Sequence, residues 1–185
     1  NGPSKGKIVK PSNQEAPKTI AFVQCAGSRD ENHLPYCSAV CCSASLKHAL
    51  IASEQLKDVR IKIFYIDMRV SGRNEDFLNQ VKADKNIELI KGKAGRINIE
   101  NDGLSIEAED ILSGLKTKTQ ADLIVLASGI QSKGNLSKQF RDEYGFLMPD
   151  KLTDGIYVTA CAKKPQDVSS SLKDATGVSL KAIQN

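Results

Sequence analysis

Thr19-Ile-Ala-Phe-Val-Gln-Cys-Ala-Gly-Ser-Arg-Asp30 is the stretch on which the reading of this chain turns. Its first six residues are short, apolar and β-prone, as in a strand buried on both faces. A polar loop follows from Ala26 to Asn32. Pro35 suits a first helical position, and Tyr36 to about Leu56 reads as a helix with Val40, Ala44, Leu46, Ala49 and Leu50 as packing residues.

Outward from there, Arg60–Asp67 reads as a second strand, with Ile61, Ile63 and Tyr65 on one face and Phe64 and Ile66 on the other. A helix is expected at about Asn74–Ala83 and a strand at Ile87–Ile90. Arg96–Glu100 and Leu104–Ala108 alternate around Asn101-Asp102-Gly103, a hairpin signal. A strand is expected over Ala121–Ala127, another over Gly155–Thr159, and a last helix from about Gln166 to Ile183. The order β-α-β-α-β, meander, β, β-α predicts an α/β fold: a Rossmann-like FAD/NAD(P)-binding domain with a parallel sheet, helices and a small β meander. The expected division is a flexible tail over 1–18, the Rossmann-like domain with its cysteine loop over 19–130, and a C-terminal segment over 131–185. A chain that opens on Asn reads as a fragment of something longer.

A dinucleotide-binding unit places G-x-G-x-x-G between its first strand and helix, so that backbone N–H groups reach a pyrophosphate. Here Cys25-Ala26-Gly27-Ser28-Arg29-Asp30 stands in that place, in a longer loop. Asp67 closes the second strand as a ribose-binding acid would, but without the glycines a solvated strand-end carboxylate is the simpler reading. A pyridine-nucleotide site is therefore disfavoured.

Four of the five cysteines, Cys25, Cys37, Cys41 and Cys42, fall in the spacing C-x11-C-x3-C-C. Four thiolates close the coordination of a cubane iron–sulfur cluster or of a tetrahedral zinc. On a helix from Tyr36, Cys37 and Cys41 share a face at i and i+4. Buried inert thiols are the ordinary alternative. A disulfide framework is a poor match to an odd cysteine count in a chain of this size. Adjacent Cys41-Cys42 suits iron–sulfur better than a paired-knuckle zinc site, although zinc stays open.

The run Phe22-Val-Gln-Cys-Ala-Gly-Ser-Arg-Asp-Glu-Asn32 with Tyr36-Cys-Ser-Ala-Val-Cys-Cys42 resembles the iron–sulfur segment of the flavoproteins related to the heterodisulfide reductase A subunit. It is closer still to the related A subunit of the quinone-interacting membrane-bound oxidoreductase complex of sulfate reducers. These proteins are built like thioredoxin reductase. The resemblance implies a [4Fe-4S] cluster on Cys25, Cys37, Cys41 and Cys42. It also implies FAD in a full-length parent of two dinucleotide-binding domains, with weak or no flavin binding in this stretch. Asp122–Gly129 is similar to the family's strand beside the flavin. Asp154–Ala162, with Lys164–Val168 and Asp174–Gly177, is similar to its closing flavin segment. The resemblance thereby implies flavin contacts from Ser128, Gly129, Gly155, Ala160, Cys161, Pro165, Asp167 and Val168. Ala160-Cys161 stands where the family has Gly-Asp, which removes one carboxylate.

The implied activity is that of an oxidoreductase subunit, inactive as this piece alone. It would relay electrons between FAD, the cluster and partner redox subunits of a soluble or membrane-associated complex in sulfur, sulfate or heterodisulfide metabolism. The expected location is cytoplasmic, or peripheral to a membrane complex. The net charge of +4 is modest, the lysines are scattered and the aromatics few, against nucleic-acid binding. No apolar run approaches the roughly 18 residues that span a bilayer. His33, as a partner to the cluster, and Cys161, as a redox thiol, are secondary candidates; His48 reads as a helix-surface residue.

Overall fold

The computed structural model describes residues 4–70, 72, 74–100, 103–134 and 138–184. By contacts the chain divides into Asn1–Ala26 with Cys41–Ser128, and Gly27–Val40 with Gly129–Asn185.

The first unit is built on one six-stranded sheet in the order β5-β4-β3-β2-β1-β6. Strand β1 (Thr19–Val23) lies between β2 (Arg60–Tyr65) and β6 (Leu123–Leu126), parallel to both, and β2 is parallel to β3 (Ile87–Glu100). A strand of a parallel sheet covered on both faces is apolar on both. Accordingly Ile20 and Phe22 join one core cluster, with Leu46, Ala49, Ala52, Ile61, Ile63 and Val81. Ala21 and Val23 join the other, with Phe64, Ile106, Ala108 and Ala121. Helix α1 (Cys41–Gln55) covers the first face with Cys42, Ser45, Leu46, Ala49 and Ala52 at helical spacing. Helix α2 runs Asn74–Ala83, as the sequence predicts, with Glu75 and Asp76 in its first turn, where negative charge complements the helix dipole.

Strand β3 does two jobs. Residues Ile87–Lys91 pair with β2; from Gly92 the strand pairs antiparallel with β4 (Gly103–Asp110), across an irregularity between Ala94 and Arg96. The segments expected separately at Ile87–Ile90 and Arg96–Glu100 are thus one strand. The hairpin is present as Glu100 opposite Gly103, while Asn101 and Asp102 of the expected turn lie outside the described residues. Strand β5 (Lys116–Ala121) carries no strand signal in the sequence because Lys-Thr-Lys-Thr-Gln is polar; it is an edge strand, where lysine discourages further pairing. The Glu100 carboxylate ties the meander together. It accepts from Ser105 Oγ at 2.7 Å and Gln120 Nε2 at 2.8 Å and pairs with Lys118 Nζ at 2.5 Å. The Lys118 bond, followed by those of Ser105 and Gln120, lowers its pKa to about 2.

The opening segment, expected as a flexible tail, has contacts in this unit: Ile8 packs on the first core cluster, and Pro17 is buried. The backbone N–H groups of Lys18 and Thr19 both donate to Asp122 Oδ2 at 2.8 Å.

In the second unit, Gly155–Thr159 is not a strand. Gly155 has φ +82°, Ile156 N bonds Thr153 O in a turn, and Thr159 is held by a side chain, so no ladder partner takes these backbone groups. Helix α3 (Val168–Gln184) follows. No helix among the described residues is long and apolar enough to cross a membrane.

Gly92 marks the point where β3 changes partners. A Cβ there would lie 2.6 Å from Glu109 O, a backbone atom that cannot step aside cheaply. Gly92→Ala is expected to destabilise the chain by about 1–3 kcal/mol, read as a lower urea midpoint at unchanged m.

Candidate metal and cofactor site

In an open α/β sheet ligands gather beyond the carboxyl ends of the strands, where the strand order reverses. Here the chain leaves β1 for β2 on one side, and β6 returns on the other, so the reversal lies at the end of β1. Cys25 sits two residues past that end, half-buried, with φ +56°. A left-handed non-glycine residue costs about 1–2 kcal/mol, and such strain collects at functional turns. Arg29 and Ala39, also in this loop, share the conformation at φ +56° and +60°.

Helix α1 begins at Cys41, so residues 36–40 are not helical and Cys37 does not share a helix face with Cys41. The cause is local bonding in the second unit, which outweighs helix propensity. Tyr36 packs edge-on against Tyr144 and Phe146, with centroids 5.1 and 5.5 Å away, and its hydroxyl donates to Ile130 O at 3.0 Å. Burial, then the nearby Asp142 charge, raises the Tyr36 pKa. Ser38, buried, accepts from Ile130 N at 2.8 Å and lies 3.3 Å from Ser28 Oγ. Gly129, at φ +99°, fits this knot because it has no Cβ: one would meet Ser28 Oγ at 2.2 Å and Ser38 Oγ at 2.5 Å. Gly129 is thus placed by packing.

Cys41 and Cys42 form the first turn of α1, which carries no acidic residue. The positive end of a helix favours negative charge, the sign a thiolate would bring. Cys42 is buried, its Sγ 4.0 Å from Asp67 O, and Cys41 is half-buried. Cys37 Sγ accepts from Ala39 N at 3.4 Å. Cys25, Cys41 and Cys42 belong to the first unit and Cys37 to the second. Among the described residues no three Cys, His, Asp or Glu side chains are grouped as a metal would require. The four side chains are thiols, a donor type that iron–sulfur clusters and zinc both take. Asp67 is ion-paired with Arg69 at 2.7 Å, and His33 and His48 are exposed.

The expected flavin contacts lie apart in kind. Ser128 follows β6. Gly155 lines a cavity of about 820 Å3 bounded also by Tyr157, Val158, Lys163, Val178 and Lys181. Ala160, Cys161, Pro165, Asp167 and Val168 are not in its lining. Ala160 (φ +56°) and Cys161 form a short 3-10 turn, and exposed Cys161 donates to Gln166 O at 3.5 Å. Asp167 caps α3: its Oδ1 accepts from Ser170 N at 2.7 Å, and this bond chiefly lowers its pKa. Val168 opens the helix, exposed.

Asp174, which the sequence places in the closing segment without a role of its own, is a hub of hydrogen bonds. Its Oδ2 accepts from Thr159 Oγ1 at 3.0 Å and Ala160 N at 2.9 Å, and its Oδ1 is ion-paired with Lys163. A carboxylate thus serves the Ala160 turn from α3, although the local sequence lacks one there. No spacing signal links positions 160 and 174.

Comparison with solved structures gives the class of fold. Thioredoxin reductase from T. acidophilum matches at TM-score 0.64 and 14% identity, covering 90% of this chain and 52% of that one. That of Lactococcus lactis matches at 0.62 and 11%, covering 91% and 52%. The fold is therefore the Rossmann-like α/β fold of FAD/NAD(P)-binding reductases. Among characterised sequences, the A subunit of the H(2):CoB-CoM heterodisulfide,ferredoxin reductase of Methanothermobacter thermautotrophicus is 34% identical over 98% of this chain. The second iron-sulfur A subunit of the CoB–CoM heterodisulfide reductase of Methanopyrus kandleri is 33% identical over 98%. A protein of Archaeoglobus profundus, named for its likeness to the heterodisulfide reductase A subunit, is 31% identical over 98%. No family model matches the sequence. The chain is a homologue of the heterodisulfide reductase A subunit over nearly its whole length, and it spans 30% of the first two of these relatives. The closer kinship expected with the quinone-interacting complex has no counterpart among these relatives.

The Lys163 pair, then the bond from Ala160 N, holds the Asp174 carboxyl below the usual carboxylate range. Because the folded pKa is depressed, its stabilisation is complete above the unfolded value of about 4 and is lost as pH falls below it. Asp174→Asn is expected to melt below the parent chain at pH 6, with the gap closing as pH drops below 4. Thermal melts of both chains across that range check it.

Proposed function

We propose that this chain is the part of a heterodisulfide reductase A-like electron-transfer flavoprotein that holds a [4Fe-4S] cluster on Cys25, Cys37, Cys41 and Cys42. The observation that carries the reading is the position of the cysteines. Cys25 lies two residues past the end of the central strand, at the sheet's reversal point, and Cys41-Cys42 opens the following helix, where a Rossmann unit would cradle a pyrophosphate. The homology to proteins named as A subunits of heterodisulfide reductases, one of them as an iron-sulfur subunit, supports it.

A cluster there would supply one-electron exchange. The chain's own part is to hold and orient. The left-handed turn at Cys25 fixes where the strand delivers its sulfur. The α1 dipole favours the anionic sulfurs of Cys41 and Cys42. The Tyr36–Ser38–Ile130 bonds fix the backbone on either side of Cys37. Burial and N–H groups near sulfur are the levers on potential.

In this proposal the parent protein binds FAD. Ser128, Gly129 and residues from Gly155 to Val168 would help hold that flavin, which would supply electron exchange with other subunits of a soluble or membrane-associated complex. Heterodisulfide or sulfur-compound reduction is the metabolic setting, and the cytoplasm the location.

Anaerobic reconstitution with iron and sulfide is expected to load about four irons per chain. Cys41→Ser should retain much less, and Cys161→Ser as much as the parent. Stoichiometric zinc uptake with no iron or sulfide retained would instead favour a structural zinc site.

A further inference from the structure

Gln24 separates the end of β1 from Cys25. Its backbone N–H still bonds Phe64 O at 3.0 Å, so the ladder runs through it. The alternation that assigns Ile20 and Phe22 to the α1 face assigns Gln24 to the same face. The residue is 6% exposed. Among the described residues, its Nε2 and Oε1 are the buried side-chain polar atoms left with no hydrogen-bond partner. Buried polar groups are overwhelmingly paired, and an orphan in a folded core calls for an unseen partner. An apolar residue would fill the position at less cost, as Ile20 and Phe22 do in the same strand.

We propose that the Gln24 side chain donates an Nε2–H hydrogen bond to a sulfur of the cluster held beside it. The inference rests on the cluster reading above and goes beyond it, since it assigns a residue that sets the potential and is not a ligand. Gln24, Cys25, Cys41 and Cys42 all belong to the first unit. Gln24 adjoins Cys25 in sequence, and α1, which covers its face of the sheet, begins at Cys41-Cys42. Thiolate and sulfide sulfurs are acceptors only, and a carboxamide offers two N–H donors without bringing a charge. The remaining acceptor oxygen is the kind of buried group that proteins more readily leave under-satisfied. A donor to sulfur stabilises the reduced, more negative cluster and so raises its potential.

The test uses the 185-residue chain and Gln24→Met, a swap of similar length without polar atoms. Without a cluster, the variant should melt at or above the parent, because a buried unpaired amide has been removed. With a cluster loaded, its reduction should be about tenfold less favourable, a midpoint about 59 mV more negative for one electron, read by redox titration followed by EPR. Gln24→Leu, which removes both polar atoms and adds no charge, should shift the same way and serves if the methionine variant does not fold. A loaded variant with the parent's midpoint overturns the role of Gln24 and leaves the cluster reading intact. A parent chain that takes up no iron and sulfide overturns both.

Discussion

The burial of β1 on both edges and both faces is the constraint on which the rest depends. Pairing with β2 and β6 fixes its position, and apolar contacts on each face fix its register. Whatever follows Val23 is therefore delivered to one place at the carboxyl edge of the sheet. In this chain that is Gln24 and then Cys25, with the chain turning left-handed at the cysteine. A Rossmann unit uses the same constraint to deliver glycines to a phosphate. The scaffold is shared, and at its edge this chain has Cys25 and Cys41-Cys42 in place of a G-x-G-x-x-G run.

Two kinds of support hold the elements around that edge. The first unit relies on apolar packing in the sheet and, in the meander, on one carboxylate, Glu100, shared by Lys118, Ser105 and Gln120. The second relies more on polar knots: Tyr36 and Ser38 against Ile130, and Asp174 against Thr159, Ala160 and Lys163. Polar knots hold individual turns without requiring periodic sequence. That explains how the loop carrying Cys37 and the turn at Ala160-Cys161 hold irregular backbones.

The same contrast decides what could be read from sequence. β1, β2 and α2 announce themselves through apolar runs and periodicity, and the cysteines through spacing. β5 does not, since its edge position leaves it polar. The start of α1 is hidden because Tyr36–Val40 is helix-compatible by composition, and tertiary contacts, among them the bonds to Ile130 and the Tyr36 ring packing on Tyr144 and Phe146, hold it otherwise. Gly155–Thr159 has the composition of a strand, yet it opens on a left-handed Gly155 and a turn in which Ile156 N bonds Thr153 O. Gln24 reads as the polar end of a strand; that its amide is buried and unpaired is visible only in three dimensions.

The most direct test of a cluster on these four cysteines is anomalous diffraction at the iron edge from crystals of the anaerobically reconstituted chain. The account predicts one compact iron peak whose nearest protein atoms are the sulfurs of Cys25, Cys37, Cys41 and Cys42, at a metal–sulfur distance of about 2.3 Å. Iron elsewhere, or a single zinc ion on these sulfurs in its place, would contradict it.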